Sequence, residues 1–318
     1  MRSVSVASAG SRCTLACHHA RGENELIHVI LMAYGSPTRM EDVPAYLQGI
    51  YEGKPVPEYA TRENTEKYAM VGGISPSNAI VDSLVRKISA KLSQGGEIDV
   101  ILGNKHWSPW LDQSISSLSI TNTDTIVAFP LFPFPSGGVK GSYLDPLEKA
   151  LSRRNLKPEI KFINGIPSDV LAKIWAPLVR KDYRNGDAVL FDAHSLPLFR
   201  EEEDDYNAAF MSAARNTAEE TGLQEYFAGY QSRGKYGNRW LEPSIYEVLE
   251  KIRAKGYRSL LAVPIGFLYE HLEILYDLDL EFGGKVKEMG MDYHRTGLPD
   301  DGDSFVQSVC RLVMNEVS

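Results

Sequence analysis

From Leu26 onward, apolar runs rich in β-branched residues alternate with stretches whose apolar positions recur at helical spacing. The runs LIHVILMAYG, DVILGNKH, DTIVAFPLFP, EIKFINGI, DAVLFDAHS, YFAGYQSR and SLLAVPIGF predict strands, with MDYHR as an eighth. Between them, SNAIVDSLVRKISAKL, DPLEKALSRR, DVLAKIWAPLVRKDY, NAAFMSAARNTAEET and SIYEVLEKIRAKG predict amphipathic helices. Repeated strand–helix–strand units imply parallel sheets covered by helices on both faces. Runs without strict alternation fit strands buried on both sides. Eight strands are too many for one compact half. The expected fold is therefore α/β, with two similar Rossmann-like lobes, parallel sheets and a cleft between them. Residues 26-150 make the N-terminal lobe and residues 151-318 the C-terminal lobe. The last helix, DSFVQSVCRLVMNEV, is expected to pack across the boundary.

Composition narrows the class. The chain is 43% hydrophobic and 24% charged, as in ordinary globular proteins, and no run approaches the roughly 20 apolar residues of a membrane span. A net charge of −8 argues against nucleic acid as a partner, because binding phosphates requires a basic surface. The three cysteines, Cys13, Cys17 and Cys310, are too few for a disulfide scaffold and fit a reducing, cytoplasmic compartment. Residues 1-25 differ from the rest, with Arg and Ser but no acid before Glu23. They read as a disordered extension or an organelle-targeting segment. The residue types of Cys13, Cys17, His18 and His19 could ligate metal, but their segment has little means of packing.

In open α/β sheets the ligand crevice lies at the carboxyl ends of the strands. Three runs end there in polar or special residues: Tyr34-Gly35-Ser36-Pro37, His194-Ser195-Leu196-Pro197 and Gln231-Ser232-Arg233-Gly234. GGVKGSY (137–143) matches no nucleotide-binding motif and reads either as a turn before a helix or as a ligand contact. No GxSxG elbow is present, so serine-nucleophile chemistry has no support. His194 either caps the next turn or acts as metal ligand or general base.

GFLYEHLEILYDLDLE (266–281) is the most unusual segment. No Lys or Arg occurs from Ser259 to Gly284, and Glu270, Glu273, Asp277 and Glu281 stand at i, i+3, i+7 and i+11. On an α-helix they would share an arc of roughly 80°. Such like-charge neighbours cost about 0.2–0.5 kcal/mol per pair. The stripe is either a solvated face or a path for a divalent cation and protons along the cleft. Asp279, off that face, reads as an ordinary surface acid. Carboxylates with one imidazole suit a borderline metal such as Fe2+, held weakly enough to be passed on.

These residues, together with LMAYGSP, KYAMVGGISP, GNKHWSPW, FDAHSLP, GYQSRGKYGNRWLEP and VPIGFLYEHLEILYDLD, resemble the ferrochelatases. The motifs resemble in particular those of the bacterial coproporphyrin III ferrochelatases. The resemblance runs from about Ile27 to the C-terminal helix. It implies a class II chelatase-like fold and insertion of Fe2+ into a porphyrin, with release of two protons. It implies that His194 and Glu273 are the catalytic pair and handle metal, and that Asp277 and Glu281 form a relay for protons or metal. Tyr34 would contact the product iron from the opposite face. Lys67, Tyr68, Ser75 and Tyr143 fall in segments resembling tetrapyrrole-binding positions. The substrates would be porphyrin and Fe2+, with a transient haem-accepting protein as partner. No [2Fe–2S] cluster is expected, because Cys310 stands alone near the C-terminus.

The chain also departs from the family pattern. Where relatives carry a basic pair it reads IYEGKP, so an arginine contact to a propionate is missing, and Lys54 or Lys67 would have to compensate. Arg233 in QSRGKYGNRW resembles protoporphyrin IX enzymes, so coproporphyrin III rests chiefly on Tyr34. Two alternatives stay open: a cobalt or nickel chelatase of a corrinoid or related tetrapyrrole pathway, and a non-catalytic haem or metal carrier.

Overall fold

A computed structural model describes residues 25–95, 97–197, 203–233 and 239–318. The extension with Cys13, Cys17, His18 and His19, and residues 234–238 of the QSRGKYGNRW loop, lie outside the described residues. All eight predicted strands form: β1 Ile27–Ala33, β2 Ile98–Asn104, β3 Thr125–Pro130, β4 Glu159–Phe162, β5 Asp187–His194, β6 Phe227–Gln231, β7 Ser259–Val263 and β8 Asp292–Arg295. The helices are α1 Val43–Ile50, α2 Glu58–Met70, α3 Ser77–Leu92, α4 Leu111–Ser116, α5 Gly137–Ser152, α6 Ser168–Asp182, α7 Glu203–Thr221, α8 Ile245–Ala254, α9 Gly283–Glu288 and α10 Asp303–Glu316. A π-helix, Ile274–Phe282, runs directly into α9.

The strands make two wholly parallel four-stranded sheets, ordered β2-β1-β3-β4 and β6-β5-β7-β8. The second order repeats the first strand for strand, although no internal repeat is visible in the sequence. Each lobe reverses strand order at its first strand, β1 or β5, which is where open sheets form their ligand crevice. Tyr34 immediately follows β1 and His194 ends β5, so the same point of each lobe carries a candidate site residue.

β1, β3 and β5 are almost continuously buried. One apolar cluster runs from Ile27 and Phe129 through Trp175 to Leu260 and Phe305, so the two sheets share a core. Because β4 pairs with β3, the first sheet extends to Phe162, beyond residue 150 where the N-terminal lobe is expected to close. Helix α10 packs against α3 and α6, and Asp301 just before it bonds Ser83 (2.6 Å) and Lys87 (2.7 Å) of α3.

Two local expectations need correction. GGVKGSY is neither turn nor loop: α5 starts at Gly137, where the Ser136 hydroxyl accepts a hydrogen bond from the Val139 amide. Each interior glycine costs about 1 kcal/mol of helix propensity, so the cap and the buried Leu147, Ala150 and Leu151 outweigh the local preference. The acidic segment is not an α-helix from Gly266 onward. Helix begins only at Leu272, and the turns from Ile274 to Phe282 are π-wound, so Glu270 lies outside the helix and off any shared arc.

Candidate functional site

His194 ends a strand whose other residues are all buried. The Tyr206 hydroxyl donates to its carbonyl at 2.9 Å, the Ser195 amide donates to Gln231 O at 2.8 Å, and the Ser195 hydroxyl donates to Leu241 O at 3.0 Å. Neighbouring elements thus hold its backbone, while the imidazole is half-buried at the cleft. Its Nδ1 lies 2.5 Å from the Ser195 carbonyl, which can only accept. Nδ1 therefore carries the proton, and in the neutral ring Nε2 presents a lone pair. That Nε2 faces Glu273 Oε2 at 3.9 Å.

Beyond β7 the chain passes close over β5. The Gly266 amide donates to Asp192 O at 3.0 Å, and a Cβ at Gly266 would stand 2.5 Å from Ala193 Cα. Only glycine permits this approach, which brings the following segment, and with it His271 and Glu273, back toward His194.

Glu273 is partly exposed in the cleft. His271 Nε2 stands 3.6 Å from Glu273 Oε2, and its Nδ1 is 3.0 Å from the Tyr269 carbonyl. Loss of solvent pushes the Glu273 carboxyl up, but His194 and His271 in their protonated, cationic form, with Lys67, outweigh this and hold it at about 2. One carboxylate is thus flanked by two imidazoles.

The acid row is compensated in part, contrary to the sequence expectation, and the cations of Glu270 and Asp277 come from distant segments. Lys67 of α2 donates to Asp277 at 2.8 Å, and Ser232 after β6 donates to its other oxygen at 2.8 Å. Arg295 of β8 pairs with Glu270 and with Asp279, so Asp279 is an ion-paired, partly buried acid rather than an ordinary surface one. π-winding widens the turn, and residues four apart stay on one side of it, as they do on an α-helix. Glu273, Asp277 and Glu281 therefore share one side, while Ile274, Leu278 and Phe282 are buried. Both sets repeat at four in the sequence, a spacing that an α-helix of 3.6 residues per turn would also place on one side.

The opposite wall is aromatic. Tyr34 packs against His106, ring centroids 4.4 Å apart. Tyr34 is 43% exposed, yet loss of solvent at its phenol, then the Glu273 charge, pushes it well up, and the same charge adds to the rise at Tyr46, Tyr68, Tyr206 and Tyr269. Tyr143 of α5 lies near Tyr34 and Tyr269, and both add to a rise caused mainly by burial. The remaining expected binding residues each have a protein partner. The Lys67 ammonium is bound to Asp277 and sits 4.7 Å from the Tyr276 ring centroid. Tyr68 is buried and its hydroxyl meets Ser36 Oγ at 3.1 Å, while Ser75 is buried and bonds Ser77 at the start of α3.

Sequence reasoning singled out neither Lys105 nor His106, although GNKHWSPW contains both. His106 is buried, which pushes its imidazole down to about 4, and its Nδ1 is 3.1 Å from Gly49 O. Lys105 lies 5.6 Å from the Tyr143 ring centroid, and no carboxylate among the described residues is in ion-pair contact with it. Burial pushes its ammonium down. It lines a concavity with Tyr143, Ser142 and Lys149. Asp192, two residues before His194, is fully buried, and neither of its carboxyl oxygens has a hydrogen-bond partner among the described residues. Burial holds its carboxyl well above the usual range.

Residues 27–317 match the family model described as Ferrochelatase. The chain is 43% identical to a ferrochelatase of Thermoplasma acidophilum over 291 residues, covering 91% of both chains. It is 27% identical to a coproporphyrin III ferrochelatase of Oceanobacillus iheyensis, covering 92% of this chain and 98% of the relative. Among solved structures, the cobalt complex of the sirohydrochlorin chelatase SirB from Bacillus subtilis subspecies spizizenii aligns with a TM-score of 0.59 at 10% identity. That alignment covers 92% of this chain and 95% of the other and shows a shared chelatase fold.

Proposed function

Because the chain belongs to the ferrochelatase family and so inserts Fe2+ into a porphyrin in haem synthesis, we propose that His194 and Glu273 carry that step in the cleft between the two lobes. The observation that supports this reading is that His194 Nε2, the free ring nitrogen, and Glu273 Oε2 stand 3.9 Å apart at the cleft. Insertion exchanges one dication for two pyrrole protons. Neutral His194 accepts the first at Nε2, and the imidazolium so formed is stabilised by the adjacent carboxylate. Glu273, which stays ionised, contacts the incoming Fe2+, while the second proton leaves by way of Asp277 and Glu281, along one side of the π-helix.

Tyr34, set in the aromatic wall, contacts the metal from the other face of the macrocycle. Tyr143 packs against the ring. Of the two lysines weighed as replacements for the missing arginine, Lys67 is already bound to Asp277. Lys105 is the better anchor for a peripheral carboxylate, because such a partner would relieve the cost of burying its charge. We take coproporphyrin III as the preferred substrate, with protoporphyrin IX as the alternative. Tyr34 and the likeness to relatives named coproporphyrin III ferrochelatases support this choice. Fe2+ is substrate, and the reading includes no resident cofactor or [2Fe–2S] cluster. No helix among the described residues is long and apolar enough to cross a membrane. On the cysteine content we read the enzyme as cytoplasmic, handing haem to a transient acceptor protein.

The test is anaerobic incubation with Fe2+ or Co2+ and each porphyrin, followed by loss of porphyrin fluorescence. We expect turnover with Fe2+ and coproporphyrin III, and loss of insertion in a folded His194→Ala variant. Normal rates in that variant would refute the role given to His194. One equivalent bound without turnover would indicate a carrier.

A further inference from the structure

Arg295 of β8 lies behind the acidic segment and engages it at both ends. Its Nη1 and Nη2 donate to the two Glu270 oxygens at 2.8 and 3.0 Å. Its Nε and Nη2 donate to the two Asp279 oxygens at 2.7 and 3.0 Å, and Nη1 also donates to Thr296 O at 2.9 Å. The five N–H bonds of the guanidinium are all used, each on an acceptor with good geometry. The three side chains are mostly buried, with relative exposures of 15%, 18% and 28% for Arg295, Glu270 and Asp279.

His271, Glu273 and Asp277 all lie among the eight residues between the two clamped acids. The first acid lies in irregular chain and the second in the π-helix, so no continuous helical ladder fixes one relative to the other. Further bonds from the same side support the clamp: the Glu270 amide donates to Asp300 Oδ1 at 2.8 Å, and the Tyr293 hydroxyl donates to Leu278 O at 3.1 Å. Arg295 is anchored in β8, in the sheet whose β5 carries His194. One side chain thus ties the frame of His194 to the segment that carries Glu273.

We infer that Arg295 is a positioning residue for insertion: by bracing Glu270 and Asp279, it sets the separation between Glu273 and His194. This rests on the proposed role of Glu273. Arg295 touches neither reacting group. It acts by holding the carboxylate at its working place.

The test is a triple variant, Arg295→Met, Glu270→Gln, Asp279→Asn, which removes the clamp without leaving a charge buried alone, together with Glu273→Asp and Glu273→Gln. Folding is checked by circular dichroism, and porphyrin affinity by fluorescence titration. The expected result is a folded protein with porphyrin Kd and KM within about twofold of the parent and kcat lower by about 10- to 100-fold, the order that a displacement near 1 Å produces. On the Glu273→Asp background, where the carboxylate is already displaced, the same triple change should cost less than about threefold more. If the triple variant does not fold, Arg295→Lys, which keeps the charge but loses the two-sided fork, must show the same loss of kcat at unchanged KM. A folded variant with parental kcat overturns the inference, as does an equal loss on both Glu273 backgrounds. A fully active Glu273→Gln would overturn the reading of Glu273 itself, and this inference with it.

Discussion

Lys67 and Asp277, 210 residues apart in sequence, meet at 2.8 Å. Lys67 belongs to α2 of the N-terminal lobe and Asp277 to the π-helix of the C-terminal lobe, so the pair bridges the two walls of the cleft. The Ser232 hydroxyl takes the second Asp277 oxygen from a third direction. Leu272, one turn earlier, packs onto the N-terminal cluster of Val43, Leu47 and Tyr68. Together these contacts couple Asp277 to the packing of the two walls of the cleft.

Breaking that pair should destabilise the protein measurably. With side-chain exposures of 24% and 14%, it lies between a solvated and a fully buried ion pair. Lys67→Met should cost about 1–3 kcal/mol, because it leaves a partly buried carboxylate without its cation. Lys67→Met combined with Asp277→Asn should recover more than half of that loss. Urea denaturation of the parent, the single variants and the double variant checks this; strictly additive losses would show that the contact contributes little.

The pair also shows where sequence reasoning reached and where it stopped. The strands were legible because continuous apolar runs have few other places to go, and His194 because such a run ended in an imidazole. The twin sheet order was not, since strand order leaves no mark on the linear pattern. The acidic row read as uncompensated because its cations, Lys67 and Arg295, lie outside the local window, and only the fold brings them in. The π-winding was not legible, because the repeat of four in 273/277/281 and 274/278/282 suits an α-helix equally well. The start of α5 was hidden by glycines at 137, 138 and 141 that a cap and buried packing overrule.

Lys105 yields a prediction about substrate grip. If its ammonium meets a peripheral carboxylate, Lys105→Met should raise the porphyrin KM about tenfold, the value of one charge-assisted hydrogen bond, with kcat held. A porphyrin with esterified carboxyl groups supplies the control. With that substrate, parent and variant should have the same KM. A variant that lost affinity equally for acid and ester would place Lys105 in packing rather than recognition.

Gly266 tests how far catalysis depends on the close passage of the chain over β5. A methyl group there would meet Ala193 Cα at 2.5 Å and Ala193 Cβ at 2.6 Å, distances that backbone movement alone can relieve. Gly266→Ala should cost about 1–3 kcal/mol of stability, as overpacking does. It should also lower kcat, because the displaced segment leads to His271 and Glu273. Thermal melts and insertion rates measured on one preparation separate the two effects. A stable variant with full activity would show that the segment can settle elsewhere without disturbing the pair.

Asp300 links this region to pH. It adopts a left-handed conformation, φ 49°, and its carboxylate accepts the Glu270 amide. Burial, and then the negative charges of Glu270 and Asp301, raise its carboxyl to about 6, against the opposing Glu270 amide bond and Arg295. The unfolded chain should titrate near the ordinary aspartate value, so between about pH 4 and 6 the folded state binds more protons than the unfolded. Stability from this group is therefore greatest below that window and falls as pH rises through it. Asparagine keeps an acceptor oxygen for the Glu270 amide and tolerates a positive φ. Asp300→Asn should thus leave stability near pH 4 almost unchanged and raise it at pH 7, flattening the slope between. Denaturation midpoints measured across this range check the prediction, and an unchanged slope would show that Asp300 ionises at its ordinary value.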